Sequence, residues 1–289
     1  MKYFEVRKSS GETEPFDEEK LRRSLRRSGA DELLVDQVMT ELSVHWQDGM
    51  STKSIFKRAF KLLKRLHRPT AGRYTLKKAI FEFGNTGFPF EVYVSEILRN
   101  RGFEVEIRQM LPGVCIRHEM DVVAKNEELL VWVECKYHPL AGSVSNVKIP
   151  LYVHSRFRDL EQQRDANPHP ADKRAVQGWI VTNTRFSDDA LQYGRCAGLH
   201  LVGWNYPSGS SLREMVDEAG LHPLTCLTTL SRREKDALLE QNLVLCRSLT
   251  KPGKWSDILH LSADRTAAVM REACELLGMQ GEFSGGRTL

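Results

Sequence analysis

Hydrophobic positions along this chain fall into three successive regimes. In the first, residues 1–86, short β-like runs at Tyr3–Arg7 and Glu14–Phe16 flank a turn at Ser9–Gly11 and give way to helical spacing. Asp17 is placed to cap a helix with Lys20, Leu21 and Leu25 following at that spacing. Leu34, Val38 and Leu42 share one face of a second helix over Asp31–Trp46, which Gly49 breaks. Ser51 starts a third helix, with Ile55, Ala59, Leu62 and Leu66 as its apolar stripe, and a fourth covers Thr70–Glu82.

The second regime, residues 87–206, mixes both periods. Pro89 opens a helix over FPFEVYVSEILRNRG, and Gly102 suits its exit. Phe103–Met110 alternates Phe103, Val105 and Ile107 against Glu104, Glu106 and Arg108, which predicts a strand. Met120–Ala124 and Leu129–Lys136 supply two more, joined by a turn at Lys125–Glu128. Pro150 begins a helix whose Val153, Phe157 and Leu160 point inward. After the polar break ANPHPADKR come a strand (VQGWIVTNT), a helix capped by Ser187 (SDDALQYGRCAG) and a last strand (LHLVGW). That order predicts an α/β domain, a mixed sheet flanked by helices.

The third regime, residues 207–289, is helical. A linker at Tyr206–Ser211 leads to a short helix at Leu212–Ala219. Ser231 caps another helix, Asn242 turns the chain, Ser262–Leu277 forms a last helix, and Gly278–Leu289 frays. The segment PLTCLTTLSRREKDALLEQNLVLCRSL is faintly like a helix-hairpin-helix, a module that binds DNA backbone, but lacks the GxG-type turn.

The chemistry concentrates in Arg117–Lys136, RHEMDVVAKNEELLVWVECK. In a strand, residues i and i+2 point to one face, so Glu134 and Lys136 point together and Val131, Val133 and Cys135 point the other way. Folding the two runs as a hairpin brings Asp121 close to Glu134. Two carboxylates and a lysine at one sheet edge suit a divalent cation and a phosphate ester. The bland alternative is an exposed strand with alternating polar residues.

Composition narrows the classes. A chain of 289 residues with 41% apolar content builds real cores. There is no apolar run long enough for a membrane span and no apolar leader, and the cysteines form neither CxxC pairs nor a disulfide framework, so a cytoplasmic location is expected. The net charge is +4, unevenly spread: Ser51–Ile80 holds ten Lys or Arg and no Asp or Glu. Arg22, Arg23, Arg26 and Arg27 add to that field, which attracts polyanions, whether nucleic acid or nucleotide phosphates, or is only a solvated helix face.

Two resemblances give these patterns a reading. VRKSSGETEPFDEEKLRRSLRRSGA, DGMSTKSIFKRAFKLL and GRYTLKKAIFEFG together resemble an ATP-cone domain, a small helical module that binds ATP or dATP and regulates an attached enzyme. The resemblance covers residues 3–86 and implies nucleotide contacts at Arg7 or Lys8, Glu14, Asp17, Lys20 and Thr52. Lysines and arginines pair with phosphates, and the start of the Asp17 helix offers N–H groups to an anion. No GxxxxGK[ST] loop is present, so the module is not expected to hydrolyse ATP.

Residues 87–204 resemble the Mrr-like, type IV restriction endonuclease branch of the PD-(D/E)xK nucleases. FPFEVYVSEILRNRGFEVE, HEMDVVA, VWVECK and VTNTRFSDDALQYG…LHLVGW stand in that family's order, although Met120 replaces the proline before the acidic residue. The resemblance implies Mg2+ or Mn2+ held by Asp121, Glu134 and the main-chain carbonyl of Cys135, with Lys136 orienting or activating water. It adds Glu91 from the first helix, which is otherwise an ordinary solvent-facing glutamate, and His118 as a proton shuttle or supporting group. Glu119 competes with Asp121 as a ligand. The Cys135 side chain is a core residue rather than a nucleophile.

The expectation is therefore an α/β multidomain protein: an ATP-cone (1–86), an Mrr-like nuclease domain (87–206) and a helical C-terminal region (207–289). It would be a metal-dependent DNA endonuclease, acting as a homo-oligomer and regulated by ATP or dATP. The alternative is a non-catalytic, nucleotide-responsive nucleic-acid-binding protein on a nuclease fold. A transcription regulator would need a zinc ribbon or winged helix, and neither is found.

Overall fold

The structure is a computed structural model that describes residues 4–8, 11–168 and 174–279. The expected frayed tail from residue 280, Ser9 and Ser10 of the first turn, Tyr3, and most of the polar break at 166–174 lie outside the described residues. The chain divides into two compact units, one of Met1–Ala79, His222–Leu238 and Leu245–Leu289, the other of Ile80–Leu221 and Leu239–Val244. Among the described residues no helix is long and apolar enough to cross a membrane.

In the first unit, β1 (Glu5–Arg7) lies between an antiparallel β2 (Thr13–Pro15) and a parallel β3 (Met50–Ser51). The next three helices each start where a polar side chain satisfies a free N–H group. Asp17 accepts from Lys20 N at 2.9 Å to open α1 (Glu18–Arg27), and Asp31 from Leu34 N at 2.8 Å to open α2 (Glu32–Ser43). Ser51 accepts from Ser54 N at 3.1 Å to open α3 (Thr52–Leu66). The fourth helix is two: α4 (Arg68–Tyr74) and α5 (Leu76–Phe81). Thr75 separates them, its hydroxyl turned back on the Gly72 carbonyl at 2.8 Å, a local bond that competes with helix continuation. Leu25, Val35, Val38, Ala59 and Leu63 form the core, and Phe4 stacks on Phe16 at 4.6 Å between centroids.

The second unit starts from α6 (Phe88–Asn100), which ends where Gly102 takes φ +86°. Three strands follow as an antiparallel meander, β4 (Glu104–Pro112), β5 (Arg117–Lys125) and β6 (Leu129–Lys136). After the two-residue β7 (Val144–Ser145), α7 (Lys148–Ala166) crosses to β8 (Ala175–Thr182), which pairs parallel with β6. Pro150 sits within the first turn of α7 rather than opening it; its missing N–H is one the helix leaves free there. A short β9 (Arg185–Phe186) pairs with β7, then come α8 (Asp188–Cys196), β10 (His200–Val202) and α9 (Leu212–Ala219). The sheet order is β10-β8-β6-β5-β4, parallel in one half and antiparallel in the other. Trp132, Val153, Phe157, Leu160 and Ile180 form the core between α7 and the sheet. Gly178 makes that approach possible, since a Cβ there would lie 2.3 Å from the Phe157 ring.

The C-terminal region differs from the expected separate module: from His222 it belongs largely to the first unit, while α9 belongs to the second. It contains α10 (Arg232–Glu240), α11 (Lys254–Leu259) and α12 (Ala263–Leu276). Arg73 donates to the carbonyls of Leu276 (2.7 Å) and Glu275 (3.3 Å), placing a cation on the free carbonyl end of α12. Gly72 lets α12 approach, as a Cβ would meet Leu276 Cδ1 at 2.6 Å.

Candidate active site

Strands β5 and β6 run antiparallel and their pairing ends at Val122 opposite Val133, which leaves Asp121 and Glu134 as the next residue on each strand. Asp121 Oδ2 accepts the main-chain N–H of Cys135 at 2.7 Å. The Glu134 side chain is only 6% exposed, and both of its oxygens are held. Lys136 Nζ lies 2.5 Å from Oε1, and Arg156 Nη1, from α7, donates to Oε2. The other guanidinium nitrogen of Arg156 donates to the Glu119 carbonyl. Burial, then the charge of Glu134, pushes the Asp121 carboxyl up to about 7; the Cys135 N–H works against the shift, Glu91 adds to it, and Lys136 opposes it.

Glu91 comes from the first turn of α6 and is buried, not solvent-facing. Arg108 of β4 holds it with a fork, Nε to Oε2 at 2.9 Å and Nη2 to Oε1 at 3.4 Å, while the guanidinium lies 4.0 Å above the Phe88 ring. Arg108 is in the left-handed region at φ 52°, rare for a residue with a Cβ, and the register sets it opposite position 121. Met120 and Val123 pack into one core although three residues apart, which strict alternation along a strand forbids. The distortion at Arg108 falls between them. The backbone thus departs from regular geometry at the level of Asp121.

His118 is not joined to this group. It is buried and its Nε2 meets Asp159 Oδ2 of α7 at 2.8 Å. Asp159 also accepts from Cys115 N at 2.8 Å and Ile116 N at 3.4 Å, and these bonds, the Cys115 N–H first, hold its carboxyl down at about 2. His118 therefore belongs to the anchor of the β4–β5 connection. Cys135 is partly exposed rather than fully buried in the core, and burial pushes its thiol well above its usual range. Beyond Lys136 the chain is fixed by the end of β8. Thr182 Oγ1 donates to the Lys136 carbonyl at 2.7 Å, and Asn183 bridges both main-chain groups of His138 at 2.9 and 2.8 Å.

Asp121 and Glu134 are hard oxygen donors of the kind Mg2+ and Mn2+ take, and a cation would relieve the crowding that raises Asp121. Among the described residues no group of three or more His, Cys, Asp or Glu is placed to hold a metal ion. The remaining positions would fall to the Cys135 carbonyl, water and substrate, as is usual for Mg2+.

An Archaeoglobus fulgidus protein of uncharacterised function is 32% identical over 187 residues, 64% of this chain and 100% of its own length. The crystal structure of AF1548, a protein of unknown function, is similar at TM-score 0.54 and 31% identity, covering 67% of this chain and 99% of that one. The AF1548-like C-terminal family matches residues 222–277. The chain belongs to the AF1548-like family. A slighter likeness, TM-score 0.35 and 13% identity over 66% of this chain and 40% of the other, is to the MspJI restriction endonuclease in complex with a 27-mer oligonucleotide.

In the first unit of this AF1548-like chain, several residues implied as nucleotide contacts gather at the small sheet. Lys8 Nζ lies 2.7 Å from Glu14 Oε2, and Lys20 Nζ 4.0 Å from Oε1. The Glu14 hydrogen bond raises the Lys8 ammonium, and the Lys8 hydrogen bond lowers the Glu14 carboxyl. Asp17 caps α1, Arg7 pairs in register with Ser51, and Thr52 follows as the first residue of α3. Sequence reasoning missed Arg108, Arg156 and Asp159, each of which acts on a partner at least 17 residues away.

Proposed function

We propose that this protein is a metal-dependent DNA endonuclease hydrolysing phosphodiester bonds, with ATP or dATP bound near Lys8, Glu14 and Lys20 as its regulator. The supporting observation is the constellation itself: half-buried Asp121 and buried Glu134 on adjacent strands, with Lys136 2.5 Å from Glu134. A bound divalent cation would polarise the phosphate and lower the pKa of a water. Asp121 and Glu134 would hold it, and Glu91, kept in place by Arg108, would add negative charge at the rim. Lys136, its chain fixed through Thr182, would position the attacking water and offset charge on the phosphate oxygens. In the net reaction the water oxygen bonds phosphorus, the bond to the leaving ester oxygen breaks, and one water proton passes to that oxygen.

The test is cleavage of supercoiled plasmid and single-stranded DNA with Mg2+ or Mn2+, with and without ATP and dATP. Nicking by the wild type and its loss, by a factor of about a hundred or more, in Lys136→Ala is expected. Thermal stabilisation by ATP or dATP, lost in Lys8→Ala/Lys20→Ala, tests the regulatory half. A second reading, a non-catalytic nucleic-acid-binding protein, draws on the pairing of both Glu134 oxygens by Lys136 and Arg156. No cleavage by the wild type with DNA retardation intact would favour it.

A further inference from the structure

The largest concentration of one charge lies outside the candidate active site. Helix α3 buries Ile55, Ala59 and Leu63. On its exposed side Lys53, Lys57, Lys61 and Lys64 recur at intervals of four, four and three residues, so they form one row along the helix. All four are exposed, and among the described residues none makes an ion pair or side-chain hydrogen bond. Four like charges in a row repel one another and bring the helix no internal return. No acidic residue interrupts the segment from Ser51 to Ile80.

We propose that the Lys53–Lys64 row is a binding surface for the phosphate backbone of double-stranded DNA. The row is about 16 Å long at helical rise, which matches about five base-pair steps of one strand. Lysine is a compact point charge suited to phosphate without base readout, so binding along the row is independent of sequence. Single-stranded nucleic acid is held largely by stacking on exposed aromatic rings. The rings on this helix are engaged elsewhere, Phe56 stacked on Tyr74 at 4.8 Å and Phe60 packed against the core. A lipid surface would call for large apolar side chains beside the cations, and none of the exposed large hydrophobics lies between residues 51 and 80. The inference shares its DNA partner with the nuclease reading but needs none of its chemistry.

The experiment measures binding of a fluorescent 30-base-pair duplex to the full chain in EDTA, where no cation-dependent cleavage occurs, as a function of salt. The comparison is Lys53→Gln/Lys57→Gln/Lys61→Gln/Lys64→Gln, with helicity checked by circular dichroism. Glutamine has nearly the helix propensity of lysine, so the fold survives. The row predicts that the log–log salt slope of the variant is shallower by about three to four and its affinity at low salt at least about tenfold weaker. The doubly reversed Lys57→Glu/Lys61→Glu should abolish binding. An unchanged slope in the quadruple variant overturns the proposal, as does a wild type that binds only anionic vesicles, or single strands more tightly than duplex. Loss of duplex binding in the variant alongside a wild type that cleaves nothing would sink the nuclease reading and leave this one standing.

Discussion

The main-chain N–H of Cys135 donates to Asp121 Oδ2 at 2.7 Å, tying a carboxylate on one strand to the backbone of the next, one residue beyond Glu134. That bond fixes Asp121 where burial and the Glu134 charge both oppose its ionisation. A carboxyl raised to about 7 favours folding below its unfolded value near 4 and loses that contribution as pH rises through about 7. At pH 8 the metal-free protein therefore holds Asp121 ionised at a cost in stability. Asp121→Asn keeps an oxygen for the Cys135 N–H and removes the charge. Thermal unfolding in EDTA at pH 8 should show the variant more stable than wild type, with the difference shrinking toward pH 5. A less stable variant at pH 8 would mean that the carboxylate is a net support of the fold.

Arg156 joins α7 to the site. Its side chain is 12% exposed and that of Glu134 6%, so truncation would leave a buried carboxylate with Lys136 alone. Breaking one side of a buried pair costs about 3 kcal/mol, much of it from the stranded charge. Arg156→Ala should lower the urea midpoint accordingly, and Arg156→Ala/Glu134→Gln should recover part of the loss. Full additivity of the two substitutions would show that the pair is not coupled.

What could be read along the chain and what could not divide along a physical line. The bounds of β6 follow from the alternation around Val131, Val133 and Cys135, and helix starts at Asp17, Ser51, Ser187 and Ser262 follow from side chains that cap the third residue on. These are local signals. That Asp121, Glu134 and Lys136 lie close together was legible because a short hairpin joins their strands. Arg108, Arg156 and Asp159 were not, because their partners arrive only when helices pack on the sheet and nothing in the neighbouring residues marks them. The union of α4 and α12 through Gly72 and Arg73 was hidden for the same reason, since it links positions about two hundred residues apart.

Asp159 is expected to contribute to an acid-induced loss of stability. Its carboxyl is held at about 2 by the Cys115 N–H first, with His118 and the Ile116 N–H assisting. A depressed carboxyl supports the fold above its unfolded value near 4, and that support disappears as pH falls through about 2. Asp159→Asn should be less stable than wild type at pH 7 and should lose less stability between pH 4 and 2. Denaturant midpoints at pH 7, 4 and 2.5 measure both effects. Parallel curves for the two proteins would remove Asp159 from the account.

Glu272 of α12 is buried at 3% exposure and accepts three hydrogen bonds, from Thr228 N at 2.8 Å, Thr228 Oγ1 at 2.7 Å and Thr229 N at 2.8 Å. Both partners lie in the segment matched by the AF1548-like C-terminal family. One carboxylate thereby closes a loop 43 residues away onto the last helix. Glu272→Ala would leave two main-chain donors and a hydroxyl without an acceptor inside the unit, a loss of about 3 kcal/mol. Glu272→Gln keeps one acceptor oxygen and should lose less. Since Arg73 binds the carbonyl end of the same helix, loosening α12 should also expose α4, read as faster amide exchange over Arg68–Tyr74. Faster exchange confined to residues 228–229 in the alanine variant would show that Glu272 serves its own loop alone.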